Sequence, residues 1–273
     1  MIPELLVSRN TVAEEAFTIS SVSDLFSRVM PGIAQAFATF KERFNTDQPA
    51  IALTSKQREF ITRIKQIGYA DQMDLTIYTP EGFDGKKATY LDYGMALSGA
   101  VERAVTVQDT MNKYSLYLAA LLTNKDQKMS TQNNQRIYKD LERTRAKINL
   151  DLGSFFKPGS TSSSAPLGDV IKRTADWETV FSICDKISQS IESVPRTVVM
   201  RKMNETADML DRLLKMIERK EVEGISPETV QEISNGAFQV ASELEFYAVT
   251  HYRVLAFVEA VNRSVLSLND RLQ

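Results

Sequence analysis

Residues 226–273 read SPETVQEISNGAFQVASELEFYAVTHYRVLAFVEAVNRSVLSLNDRLQ. Apolar side chains recur along this stretch in alternating steps of three and four residues, the spacing of one face of an α-helix. Ser226 and Pro227 form a helix start, because proline fits the first helical position. We call the repeating positions the heptad seam: Val230, Ile233, Ala237, Val240, Leu244, Tyr247, His251, Val254, Val258, Val261, Val265, Leu268 and Leu272.

The heptad seam predicts a single helix of about 70 Å, at about 1.5 Å per residue. A strict seven-residue repeat winds slowly around a straight helix, so partner helices must supercoil left-handedly to keep it covered. Because further apolar residues widen the surface beside the seam, a multi-helix bundle is favoured over a two-stranded coiled coil. These residues are Ala241, Phe246, Leu255, Phe257 and Leu266.

Two shorter predicted helices precede the long one and share its spacing. At about 25 residues each they would reach roughly 37 Å, so neither covers the seam alone. Either earlier helices of the chain pack along the rest, or another chain does. We interpret residues 169–273 as a three-helix, coiled-coil-like bundle. The two shorter stripes are Trp177, Val180, Cys184, Ile187, Ile191 and Val194, then Met200, Met203, Ala207, Leu210, Leu214 and Ile217.

Residues 1–53 are predicted to form a helical lead-in or arm. Phe37, Phe40 and Phe44 fall on one side of a helix within it. Such a face must be buried, either against the protein's own body or against a neighbouring subunit.

Residues 54–156 form the next predicted helical region, interrupted at 71–89. There LTIYTP favours a strand and PEGFDG has turn chemistry, so we expect a loop or small hairpin. The stretch KPGSTSSSAPLG at 157–168 is rich in Ser, Pro and Gly and is predicted to be a flexible loop and domain boundary. The predicted fold class is all-α, an elongated multi-helix bundle with at most one small hairpin.

The composition is that of an average soluble globular protein. Of 273 residues, 43% are hydrophobic and 25% charged, which excludes a fibrous or disordered class. A formal net charge of -2 argues against a dedicated nucleic-acid binder. The basic run from Lys125 to Lys147 is either a solvated helix face or a local nucleic-acid site. The candidate nucleic-acid residues are Arg136, Lys139, Arg143, Arg145 and Lys147.

Few side chains of the sequence are suited to catalytic chemistry. With one cysteine and one histidine, the chain can form neither an internal disulfide nor a paired-histidine zinc site. Cys184 and His251 are the one nucleophilic pairing available. The alternative is that Cys184 is a small core residue and that His251 fixes helix register. We predict no catalytic residue, no metal and no cofactor, and therefore no enzyme.

The expected location is the cytoplasm or a virion. The opening MIPELLVSRN lacks the basic and apolar regions of a secretory signal, so secretion is not expected. A run of 18 apolar residues, as a membrane span requires, is also missing from the sequence.

The sequence resembles helical virion structural proteins of large tailed bacteriophages in the composition and order of its segments. The resemblance lies in a Phe-rich lead-in, MPGIAQAFATFKERF, a Ser-rich interruption, KPGSTSSSAPLGD, and long helices without catalytic motifs. It implies a component of a capsid, neck or tail, or a protein packaged within the head.

The function we expect is that of a non-enzymatic structural or assembly protein acting through helix-mediated contacts, with other subunits or further copies of the chain as partners. One alternative is a nucleic-acid-associated packaging or regulatory factor that uses the basic run. Another is a helical enzyme with a site near the 71–89 loop. The predicted protein-contact residues are Phe37, Phe40, Phe44, Tyr247, His251, Val258, Val265 and Leu272.

Overall fold

The computed structural model describes residues 31–32, 34–35, 37–38, 60, 62–63, 75–123, 135–139, 152–219 and 227–271. These residues form a bundle of long helices with one small two-stranded sheet, which confirms the all-α fold class. The helices are α1 (Tyr90–Ala104), α2 (Val107–Thr123), α3 (Leu167–Val170), α4 (Thr174–Glu192), α5 (Arg196–Glu218) and α6 (Pro227–Arg271). A short 3-10 turn spans Leu152–Phe155, and the strands are β1 (Thr76–Tyr78) and β2 (Ser164–Pro166).

The long helix predicted from the heptad seam is present as α6. It contains 45 residues, which corresponds to about 68 Å. The described seam residues from Val230 to Leu268 are at most 2% exposed, except for half-buried His251. The single chain therefore buries the seam, and a second chain is not needed to cover it. Leu272 lies outside the described residues.

The chain divides into two compact units, each built from segments that are distant in sequence. Unit 1 comprises Met1–Asn45, Gln108–Ala146 and Thr197–Leu244, and unit 2 comprises Thr46–Val107, Lys147–Arg196 and Glu245–Gln273. The first half of α6 thus belongs to unit 1 and the second half to unit 2. The borders of the units differ from the predicted segment borders at 53, 156 and 168. Periodicity reports where a helix begins and ends, but not which part of it packs against which neighbour.

Unit 1 is held together by tyrosines of α2. The Tyr114 hydroxyl donates a buried 2.8 Å hydrogen bond to the carbonyl of Ile233 on α6. One turn later, the Tyr117 hydroxyl donates to the Glu232 carboxylate at 2.9 Å. On another side of α2, the hydroxyls of Ser115 and Thr206 on α5 are 3.1 Å apart. Buried aromatic rings thus carry polar ends that fix how α2 meets α6.

Unit 2 depends on the close approach of α1 to α4 and α6. A Cβ atom at Gly94 would lie 3.1 Å from Ile183 of α4 and 3.3 Å from Phe257 of α6. Any larger residue here would press on both neighbours, which explains a glycine inside this helix although glycine is a weak helix former. The start of α1 is secured by a capping box, in which Thr89 and Asp92 each accept a hydrogen bond from the other's backbone N–H.

The strand predicted near Tyr78 exists, but it is not part of a local hairpin. β1 pairs antiparallel with β2, so that Ile77 stands opposite Ala165. The partner strand comes from the 157–168 segment that we interpreted as a flexible loop. Backbone bonds from Thr79 N to Ser163 O (2.8 Å) and from Gly82 N to Ser162 O (2.7 Å) extend the pairing. Composition alone gives no signal for this pairing, because it depends on contacts distant in sequence.

Both strands of this sheet are protected from pairing with a further strand. The backbone N–H of Tyr78 donates to the Ser264 hydroxyl of α6 at 3.0 Å. The Tyr78 carbonyl accepts from the Tyr90 hydroxyl and lies 3.1 Å from the Ser264 oxygen. On the other strand, Pro166 has no backbone N–H to offer. Occupied backbone groups and proline are the usual ways in which sheets avoid edge-to-edge association.

We expect Ser264→Ala to lower the free energy of unfolding by about 1–3 kcal/mol, because the Tyr78 N–H would lose its acceptor in a partly buried position. Urea denaturation followed by circular dichroism measures this. Ser182→Ala, at an exposed position of α4, serves as the control and should change stability by less than about 0.5 kcal/mol. Equal stability of the Ser264 variant and the native protein would refute an anchoring role for this hydroxyl.

Candidate protein-interaction surface

The second half of α6 presents large apolar side chains to solvent on the side away from the heptad seam. Tyr252 is 60% exposed and Leu266 is 41% exposed. Charged residues lie between Tyr252 and Leu266 in the sequence. Each is three, four or seven positions from the next member of the set, so all of them lie on one face of the helix. We call this face the outer stripe: Tyr252, Glu259, Arg263, Leu266 and Asp270. Half-buried Leu255 and Ala256 lie beside it.

An open groove lies at the C-terminal end of the outer stripe, where α6 passes β1. The guanidinium carbon of Arg263 is 4.6 Å from the centre of the Tyr78 ring, a cation–π contact. Arg263 also pairs with Glu259 one turn back, at 3.7 Å. The groove is lined by Tyr78, Arg263, Leu266, Ser267, Asp270 and Arg271. Arginine and tyrosine are the residues most enriched among those that dominate binding energy in protein interfaces.

Most of the described residues that we predicted as protein contacts are buried within the chain instead. Tyr247, Val258 and Val265 belong to the covered seam, and Phe37 is also buried. His251 is half-buried. Phe40, Phe44 and Leu272 lie outside the described residues. The seam pattern identified what the protein buries internally. Of the large apolar side chains that the described residues expose, Tyr252 and Leu266 lie on the other side of the same helix, whereas Met95 and Leu116 stand singly on α1 and α2.

Tyr252 was not predicted as a contact residue, and Leu266 was predicted to widen the apolar surface beside the seam. A signal was present, because the two residues are 14 positions apart, or two heptads, and neither belongs to the seam. Isolated apolar residues outside a core pattern are common on protein surfaces. Only their exposure in the folded chain distinguishes them from residues that merely widen the core.

Comparison with known protein families, curated proteins and solved structures finds no match to this chain. A role for the outer stripe can therefore be proposed only from its own side chains. Among the described helices, none has the combined length and apolarity needed to cross a membrane.

His251, the polar position in the heptad seam, lies near an aromatic ring and a positive charge. Its ring centre is 6.0 Å from that of Tyr247, whose hydroxyl donates to the Val194 carbonyl at 2.7 Å. Burial lowers the pKa of His251, and the positive charge of Arg196 lowers it further. Burial raises the pKa of Tyr247 to about 12, with Arg196 opposing the shift. His251 is therefore uncharged at neutral pH, which suits a seam position.

We expect the protein to lose stability as the pH falls below about 6.5, the ordinary pKa of a histidine side chain. The unfolded chain then binds a proton that folded His251 resists, so protonation favours unfolding; above that pH the contribution of His251 is fully present. Urea unfolding at acidic and neutral pH, compared between the native protein and His251→Gln, isolates this effect, since the chain has one histidine. An identical pH dependence in both proteins would contradict it.

Cys184 does not have the environment of an activated nucleophile. The thiol is buried within α4, and burial, aided by the neighbouring Asp185 carboxylate, raises its pKa. Nucleophilic cysteines require the opposite, a thiolate stabilised by nearby positive charge. These surroundings match the alternative interpretation of Cys184 as a small core residue.

A thiol reagent such as a chromogenic aromatic disulfide should therefore fail to label the native protein on a timescale of minutes. After unfolding in urea, the same reagent should react with one thiol per chain, because the sequence contains one cysteine. Rapid labelling of the native protein at neutral pH would show that Cys184 is accessible and ionised, and would restore the dyad hypothesis.

The other predicted chemical sites are only partly described. Among the described residues, no three His, Cys, Asp or Glu side chains lie close enough to hold a metal ion together. In the loop near Tyr78, the buried carboxylate of Asp84 is engaged by Lys157 at 3.6 Å and Lys87 at 3.8 Å. This carboxylate anchors the turn to the segment that carries β2.

The candidate nucleic-acid residues are divided between described and undescribed parts of the chain. Arg136 and Lys139 are exposed on a helical segment at 135–139. Arg143, Arg145 and Lys147 lie outside the described residues. A separate basic groove in unit 1 is lined by Leu122, Arg212, Lys215, Met216 and Arg219, with Lys215 paired to Asp211 at 2.6 Å. Nucleic-acid binding stays a prediction.

Proposed function

We propose that this protein is a non-enzymatic structural or assembly protein that works through helix-mediated contacts with other proteins. The observation that carries the proposal is the outer stripe of α6. Tyr252 and Leu266 stand in solvent on a helix whose opposite face is already buried. Along this exposed face they alternate with the charged residues Glu259, Arg263 and Asp270. Exposed aromatic and arginine side chains are enriched at surfaces that bind another protein.

The rigidity of the outer stripe supports this role. Its helix is held along the opposite side by buried seam residues such as Val254, Val261 and Val265. A partner would therefore meet a preformed helix face, and binding would not have to order the backbone. Arg263 is already placed by its contacts with Tyr78 and Glu259, so little side-chain entropy is lost there.

A bacteriophage virion is the setting that we propose for these contacts. The support for it is the resemblance in texture of the Phe-rich lead-in and the Ser-rich interruption to helical virion proteins. In such an assembly the partners are neighbouring subunits, and a weak contact is strengthened when it is repeated many times.

The rate at which the protein sediments in extracts of the cells that produce it tests the proposed function. In sucrose gradients of gently lysed cells, we expect the 30.7 kDa chain to sediment within a larger particle. Replacing Tyr252 and Leu266 together by Glu should release it, because each buried apolar side chain contributes about 1.5–3 kcal/mol, or roughly tenfold or more in affinity per residue.

Asn204→Glu together with Ser182→Glu, an equal gain of charge at exposed positions of α5 and α4, is the control and should leave the protein in the particle. Sedimentation of the native chain as a free protein would overturn the proposed function. Retention of the Tyr252 and Leu266 double variant in the particle would show that the contacts lie elsewhere.

A further inference from the structure

We infer that the outer stripe binds a second copy of this chain in antiparallel orientation, about a two-fold axis level with Val261. The inference rests on the proposed function, because it names the partner of that same surface. It follows from the order of side chains along the stripe, which reads Tyr252, Glu259, Arg263, Leu266 and Asp270.

The outer stripe of one copy is complementary to the same stripe of a second copy that runs in the opposite direction. When two copies of α6 run antiparallel about Val261, residues equally distant from it on either side stand level with each other. Glu259 then stands level with Arg263 of the second copy, and the Tyr252 hydroxyl with the Asp270 carboxylate of the second copy. A two-fold axis repeats each of these contacts, as in other isologous interfaces.

Side-chain size is complementary as well as charge. In the same register, Leu266 stands level with Ala256 of the second copy. Ala256 is half-buried beside the outer stripe, and its single methyl group leaves room for the 41% exposed Leu266. The pairing would therefore remove the largest exposed aliphatic side chain of the stripe from water.

Charge also selects the orientation. In a parallel pairing Glu259 would stand against Glu259 and Arg263 against Arg263, and like charges placed together are destabilising. In the antiparallel pairing, the existing 3.7 Å pair within each helix joins its symmetry equivalent. Four alternating charges then surround the two-fold axis.

The extent of the stripe sets the strength of the contact. From Tyr252 to Asp270 it covers about 27 Å of helix and has a width of about 10 Å. The area given by this length and width is smaller than the roughly 800 Å² per partner that standard stable complexes bury. The dimer is therefore one that dissociates on dilution, and it is consolidated where many copies are held together.

Sedimentation equilibrium of the purified full chain, from about 10 μM to about 1 mM, tests the pairing. The native protein should show a reversible monomer–dimer equilibrium. Arg263→Glu and Glu259→Arg should each weaken the dimer at least about tenfold, because each places like charges at the axis. The double variant Glu259→Arg with Arg263→Glu should restore the dimer, since the charges again alternate.

The double variant also keeps an opposite-charge pair within the helix, so it separates an effect on pairing from an effect on folding. Arg201→Glu provides the matched control, because Arg201 and Glu205 form an exposed pair of similar spacing and 3.8 Å distance on α5. That variant should dimerise like the native protein.

A monomer over the whole concentration range would overturn the inference, as would a dimer that the single reversals leave unchanged. A dimer weakened by both single reversals but not restored by the double variant would overturn the antiparallel register. If the purified chain is monomeric but sediments within a particle in cells, the second copy is wrong as the partner and the proposed function stands.

Discussion

Nearly every described seam residue of α6 is removed from water along a helix of 45 residues. Burial of one such side chain is worth about 1.5–3 kcal/mol, whereas a whole domain is stable by only about 5–15 kcal/mol. The free-energy cost of leaving even half of the seam exposed would therefore exceed the free energy that stabilises either unit. In the first half of α6, Tyr114 of α2 reaches the seam residue Ile233. In the second half, Gly94 lets α1 approach Phe257, which lies beside the seam.

The parts of the fold that depend on local sequence could be predicted. The Ser226-Pro227 start, the three- and four-residue spacing and the absence of breaks were sufficient for α6. The pairing of Ile77 with Ala165 could not be predicted, because a Ser-rich segment has no strand pattern and the two residues lie far apart in the chain. The close packing at Gly94 could not be predicted for the same reason, because only the folded chain brings Ile183 and Phe257 against it.

The exposed face of α6 could not be predicted from the heptad seam. The sequence predicted protein contacts at the seam residues of α6, but the described seam is buried within the chain. The candidate surface lies on the opposite side of the helix, at Tyr252 and Leu266. These two facts are physically linked, because a helix held on one side by a packed core offers its other side as a rigid surface. Sequence periodicity detects the side that packs. The two-heptad spacing of Tyr252 and Leu266 on the other side has no meaning until their exposure is known.

The bond between Tyr78 and Ser264 spans 186 positions of the chain, and this separation has a consequence for synthesis in the cell. Ribosomes add roughly 5–20 residues per second, so β1 would emerge about ten seconds or more before its partner on α6. During that interval the strand edge would be open to other chains, as unpaired edges in incomplete domains are. Unit 2 would close only after translation has passed Ser264, long after its first strand has been made.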